Sequence, residues 1–144
     1  AGKTYDLPVM NLDVLPTAII AAGGKTDPSW QLDGVDLMPY LTGKPTSRPH
    51  QTLYWRYGPQ WAIRQGDFKL VVSRGGSGRP ELYNLAEDLG ESRDLAAQHP
   101  ALVRELSAAW EKWNAANTSP VWRGTPNEDP AGHPPGDPKA SKKK

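Results

Sequence analysis

Aromatic rings and a cation crowd together at one place in this chain, Tyr54-Trp55-Arg56-Tyr57 followed after Gly58-Pro59 by Gln60-Trp61. Flat rings stack on the face of a sugar or an aryl group, and a guanidinium among them can grip a sulfate-like oxyanion through a forked pair of hydrogen bonds. The same composition also describes the edge of a core whose arginine is satisfied by its neighbours. Position adds weight to binding, because the cluster lies where two extended segments meet, and loops that join strands commonly carry binding groups. His50 leads into the same aromatic run, where a lone histidine serves as a surface or hydrogen-bonding group or, less directly, as a further contact in the pocket.

Other reactive constellations are broken or missing. With no cysteine, the chain has no disulfide, thiolate metal site or thiol nucleophile among its residues. His50, His99 and His133 stand far apart, so tertiary structure alone would have to assemble a metal site. His99, beside Pro100, reads as a helix-start residue, while Asp33 and Asp36 lack the alternating acidic ligands of a calcium loop and read as turn and cap residues. Ala1-Gly2-Lys3-Thr4 ends like a phosphate-binding loop, but the earlier glycine is missing and Pro8 would interrupt the helix that must follow. Gly75-Gly76-Ser77-Gly78 lies between two strands with no helix start behind it and reads as a solvent-exposed turn. No serine occupies a nucleophile-elbow pattern, so an activated nucleophile is not visible and no catalytic residue is assigned.

The chain of 144 residues opens on Ala1 without an export or targeting segment, which reads as a cut N-terminus. No apolar run approaches the roughly 20 residues that span a bilayer. The net charge is +1, and setting aside Lys139, Lys142, Lys143 and Lys144 leaves −3, so the body is mildly acidic. A nucleic-acid module would gather its cations on an ordered face, and here they gather in a tail; nucleic acid is discounted.

Periodicity supplies the elements that must hold the aromatic cluster. Tyr5 to Val9 reads as extended, and Asn11 or Asp13 can cap a helix running through Ala22, with Pro16 tolerated near its first turn. That helix is apolar around most of its circumference and is expected to be buried against something larger. Asp33-Gly34 reads as a tight turn, and Asp36 caps a short helical turn over 37–41, followed by a polar connector. From Thr52 the period is two: Leu53, Trp55 and Tyr57 share one face, Tyr54 and Arg56 the other. Strands over 61–65 and 68–73, joined at Gly66-Asp67, and a fourth over 81–85 complete an antiparallel sheet. A helix from about Pro100 to Asn117, with Leu102, Val103, Leu106, Ala109, Trp110 and Trp113 on one stripe, is expected to cover it. The expected class is α+β, with residues 118–144, rich in proline and ending in lysines, a disordered tail.

These pieces, taken in order, resemble the C-terminal portion of a type I, formylglycine-dependent sulfatase of the alkaline-phosphatase-like superfamily. The resemblance rests on Leu12-Asp13-Val14-Leu15-Pro16-Thr17 with Ala22-Gly23, Leu32-Asp33-Gly34-Val35 with Leu41-Thr42-Gly43, and Leu53-Tyr54-Trp55. It continues through Ala62-Ile63-Arg64, Gly66-Asp67, Lys69-Leu70 and Glu81-Leu82-Tyr83-Asn84-Leu85 to Asp88, Gly90-Glu91 and Asp94-Leu95. It implies that residues 1–51 are the end of a large α/β domain, holding its last strand and helix, and a connector, and that 52–117 form the small C-terminal subdomain.

A relative of this kind hydrolyses sulfate esters or sulfamates with a formylglycine, made from Cys or Ser in a Cys/Ser-x-Pro-x-Arg motif, beside Ca2+. Neither maps here, since Ser119-Pro120-Val121-Trp122-Arg123 has its proline one place early. The resemblance carries Arg56, Tyr57, Gln60 and Trp61 over as substrate contacts at the pocket mouth, with His50 a weaker addition. It implies an N-terminal sulfatase domain as partner, a sulfated small molecule or carbohydrate as substrate, and a periplasmic or secreted location. The rival class is a free-standing carbohydrate-binding or interaction module using the same aromatic junction.

Overall fold

The computed structural model describes residues 2, 4–43, 47–73 and 78–118. The chain divides into two compact units, Ala1–Gln51 and Thr52–Lys144. The disorder expected of the tail, and the glycine loop apart from Gly78, concern residues outside that description.

The described residues of the first unit form two helices, α1 (Val14–Ala21) and α2 (Met38–Leu41), with single 3-10 turns at Asn11–Asp13 and Pro28–Trp30. Pro16 falls in the first turn of α1, where its missing N–H has no partner to lose. Asp36 Oδ1 accepts the Met38 N–H at 3.0 Å, so the cap expected ahead of α2 is made. Two expectations change. Residues 4–10 form no strand, because an extended segment becomes one only when a neighbour takes its backbone hydrogen bonds. Asp33-Gly34 is not a hydrogen-bonded turn: a Cβ at Gly34 would collide with the backbone of Leu12 and Asp13, so glycine stands there to let two chain segments pass closely.

The second unit is a four-stranded antiparallel sheet in the order β1-β2-β3-β4, with β1 Thr52–Tyr57, β2 Gln60–Gln65, β3 Phe68–Val72 and β4 Glu81–Asn84. Its alternation sets the register: Ile63 stands opposite Leu70, and Leu70 opposite Leu82. These three are fully buried on one face under α3 (Pro100–Ala115), whose Leu106 completes the core. Each such side chain contributes roughly 1.5–3 kcal/mol through burial. Pro100 opens α3 at a position where no N–H is needed. The free edge of β4 is covered by the chain that follows it: Leu95 N–H donates to Leu82 O at 2.8 Å and Leu82 N–H to Asp94 Oδ1 at 3.0 Å.

Candidate functional site

Tyr57 and Gln60 close the β1–β2 hairpin as its last facing pair, with Arg56 opposite Trp61 one step inward. Gly58 takes φ +56 and Pro59 follows with its φ locked negative by the ring, the combination a two-residue hairpin loop needs to match the strand twist. The hairpin therefore brings four of the residues expected at a site, Arg56, Tyr57, Gln60 and Trp61, to one end of the sheet. It also divides them between two faces.

Arg56 and Trp61 lie on the α3 face. The Arg56 terminal nitrogens donate to Asn114 Oδ1 and, at 3.0 Å, to the Thr118 carbonyl, placing a cation at the C-terminal end of α3 where the helix dipole favours it. Trp61 stacks on Trp110 at 4.6 Å between ring centroids, and Tyr54 lies nearly parallel to Trp113 at 5.0 Å. Trp110 also donates its indole N–H to Trp55 O at 3.1 Å. The forked guanidinium that sequence reasoning aimed at an oxyanion thus has two protein acceptors, and the stacking partner of Trp61 is another tryptophan.

The opposite face of the hairpin carries Trp55 and Tyr57, two positions apart on β1, with relative exposures of 47% and 69%. Their rings are the open aromatic surface of the junction, and Gln60, half-buried, pairs with Tyr57 across the turn. Trp55 was not singled out from the sequence as a contact. The alternation that put it on the face of Tyr57 was the available signal.

His50 belongs to the first unit, and its Nε2 sits 2.8 and 2.9 Å from the two carboxylate oxygens of Asp13. Asp13 is fully buried and also accepts the N–H of Met10 through Oδ2 and the N–H of Val35 through Oδ1, each at 2.8 Å. Burial works to raise the Asp13 carboxyl, but the Met10, Val35 and His50 contacts outweigh it and hold the group below its ordinary value. Asp13 makes no side-chain cap on α1, as sequence reasoning had proposed; its carboxylate instead ties together segments around residues 10, 35 and 50.

Among the described residues no group of three or more His, Cys, Asp or Glu side chains is placed to hold a metal ion. The Ca2+ implied by the sequence resemblance therefore has no fitting cluster among the described residues, and no chemical step is routed through it or through a formylglycine. No described helix is long and apolar enough to cross a membrane.

No protein-family profile matches the chain. It is 30% identical to an uncharacterized sulfatase of Schizosaccharomyces pombe across 72% of this chain and 21% of that protein. It is 29% identical to arylsulfatase A of Bos taurus across 90% of this chain and 31% of the relative. The solved structure of Ps i-CgsB in complex with k-i-k-neocarrahexaose superposes with a TM-score of 0.74 at 27% identity, covering 89% of this chain and 29% of that one. The chain thus spans less than a third of the length of these proteins.

Proposed function

The chain belongs to the sulfatase family as part of its C-terminal portion, and from that premise we propose that it forms the rim of a substrate pocket in a sulfuric ester hydrolase and braces that rim. The observation that carries this reading is the division of the hairpin. Arg56 and Trp61 are engaged with α3 and fix the turn, whereas Trp55 and Tyr57 offer open rings beside Gln60. Open rings on a rigid turn stack on the non-reacting portion of a substrate and discriminate among sulfate carriers without performing hydrolysis. Sulfated carbohydrate is the substrate class that suits such rings, in keeping with the oligosaccharide held by Ps i-CgsB. His50 acts through Asp13, holding the first unit together. The nucleophile and Ca2+ lie, on this reading, in an N-terminal sulfatase domain that is this chain's partner, in a periplasmic or secreted protein.

The chain by itself is then expected to release no sulfate from an aryl sulfate even with calcium supplied. Turnover that disappears on a point change within residues 1–144 would overturn the proposal. The reading frame ahead of Ala1 separates the two function classes: a Cys/Ser-x-Pro-x-Arg motif there marks the hydrolase, and a start codon with an export signal directly before Ala1 marks a free-standing carbohydrate-binding module. In a hydrolase of that kind, Tyr57→Ala is expected to raise KM with kcat nearly unchanged, the signature of lost uniform binding.

A further inference from the structure

The second unit holds a cavity of about 540 Å³ away from the aromatic hairpin. Phe68, Asn84, Glu87, Arg93, Gln98 and His99 line it, from the start of β3, the end of β4 and the segment leading into α3. Gln65, the β2 residue paired with Phe68, is at the far end of that strand from Gln60, and six residues of strand put roughly 17–20 Å between the cavity and the hairpin turn. The two places are therefore distinct.

The wall of the cavity is fixed by its own loop. Asp88 accepts the N–H groups of Ser92 and Arg93 through Oδ2, both at 2.8 Å, and the Ser92 hydroxyl through Oδ1 at 3.0 Å. With Asp88 so engaged, Glu87, Arg93, Gln98 and His99 make no side-chain hydrogen bond to another described residue. Asn84, also in the lining, accepts the Ala86 N–H on its side-chain oxygen at 3.2 Å, and among the described residues its amide NH2 donates to none. The Phe68 ring stands beside His99, with centroids 6.1 Å apart and planes at 59°.

This lining has a definite chemical complement. Planar amide, carboxylate and guanidinium groups each meet adjacent hydroxyls of a ring with two donors or acceptors, an imidazole adds one more hydrogen bond, and one aromatic ring meets the C–H face. A drug-like apolar ligand would leave those polar groups without partners, at a cost in affinity. A simple anion would meet the carboxylates of Glu87 and Asp88 as well as the Arg93 guanidinium. The volume lies within the roughly 300–1,000 Å³ of small-molecule sites. We propose that this cavity is a saccharide-binding site that takes a pyranose unit by stacking on Phe68 and hydrogen bonding to Asn84, Gln98 and His99. It would serve as an accessory hold on a glycan chain and stands independently of the hairpin reading.

The test is a residue-resolved NMR titration of the full chain with two neutral hexasaccharides, maltohexaose and agarohexaose, with hexaethylene glycol as the acyclic control. Because the cavity is open on one side, a dissociation constant on the order of 1 mM is expected, with shifts at Phe68, Asn84, Gln98 and His99 from at least one sugar and none from the control. Gln98→Ala and His99→Ala, both at exposed positions outside the strands, should each weaken that binding about tenfold while leaving the rest of the spectrum in place. The proposal is overturned if neither sugar shifts the cavity signals, if the glycol shifts them equally, or if the shifts survive both substitutions. Shifts confined to Trp55 and Tyr57 would sink the cavity site and leave the hairpin rim standing. Shifts confined to the cavity would support the accessory site and leave the hairpin rim to its own kinetic test.

Discussion

Asp13 concentrates the interactions of the first unit on one carboxylate, with two backbone N–H donors and the His50 ring around it. Because its folded pKa is lowered, its stabilisation is fully present above the unfolded value of about 3.9 and is lost as pH falls through the lower folded value. The Val35 amide, which donates to Asp13 Oδ1, is therefore expected to keep its hydrogen-exchange protection at neutral pH and lose it on the acid side of about pH 4. Asp13→Asn, which turns an NH2 toward at least one buried donor, should remove that pH dependence and cost about 1–3 kcal/mol. Protection at Val35 that is flat down through the acid range would contradict the assignment. Nothing local in Leu12-Asp13-Val14 announces this role: the donor at Val35 and the ring of His50 lie far along the chain, so local capping rules favoured a helix cap. Gly34 was legible only as half of an Asp-Gly turn, and its actual role, the close passage of another backbone, became visible only with both segments in place.

At the level of elements, alternation and stripe patterns were enough to read β1 to β4 and α3, because each has one apolar face and the 2.0 and 3.6 periods are hard to confuse over these lengths. What periodicity does not carry is which polar side chain on an inward face finds a partner. Arg56 alternates with Tyr54 onto the α3 side, and only the docking of α3 supplies Asn114 and the Thr118 carbonyl. The same docking pairs Tyr54 with Trp113 and Trp61 with Trp110. Leu106, fully buried against Ile63, Leu70 and Leu82, is the position where the cover is most sensitive. Leu106→Ala is expected to destabilise the second unit by about 2–5 kcal/mol in urea unfolding followed by tryptophan fluorescence. Arg56→Ala should cost less, about 0.5–3 kcal/mol, since its partners remain near solvent. An Arg56 substitution more damaging than Leu106→Ala would mean that the ion, and not the aliphatic layer, holds α3 in place.

Across the whole molecule the two units differ in what they bury. Among the described residues the buried hydrophobic core lies in the second unit: Leu53, Ala62, Ile63, Leu70, Leu82, Tyr83 and Leu106. Among the described residues of the first unit the buried ones are Asp13 and Pro16, while Val14 and Leu15 on α1 stay 66% and 54% exposed and Leu12, Ile20, Trp30 and Met38 are also exposed. An eight-residue helix is too short to persist in water on propensity alone, and most helix stability comes from packing an apolar face. The first unit of the isolated chain should therefore open at low free energy or hide its apolar surface by self-association. Native-state hydrogen exchange at low protein concentration is expected to show β2 and β3 amides exchanging only through global unfolding, and α1 amides exchanging through local opening at least 2 kcal/mol cheaper, about thirtyfold faster. Raising the concentration should slow exchange in α1 selectively if association covers it, and Leu15→Glu should abolish that slowing. Protection of α1 equal to that of β2 in a dilute monomer would show that Asp13, His50 and the close pass at Gly34 suffice to hold this unit without an apolar core.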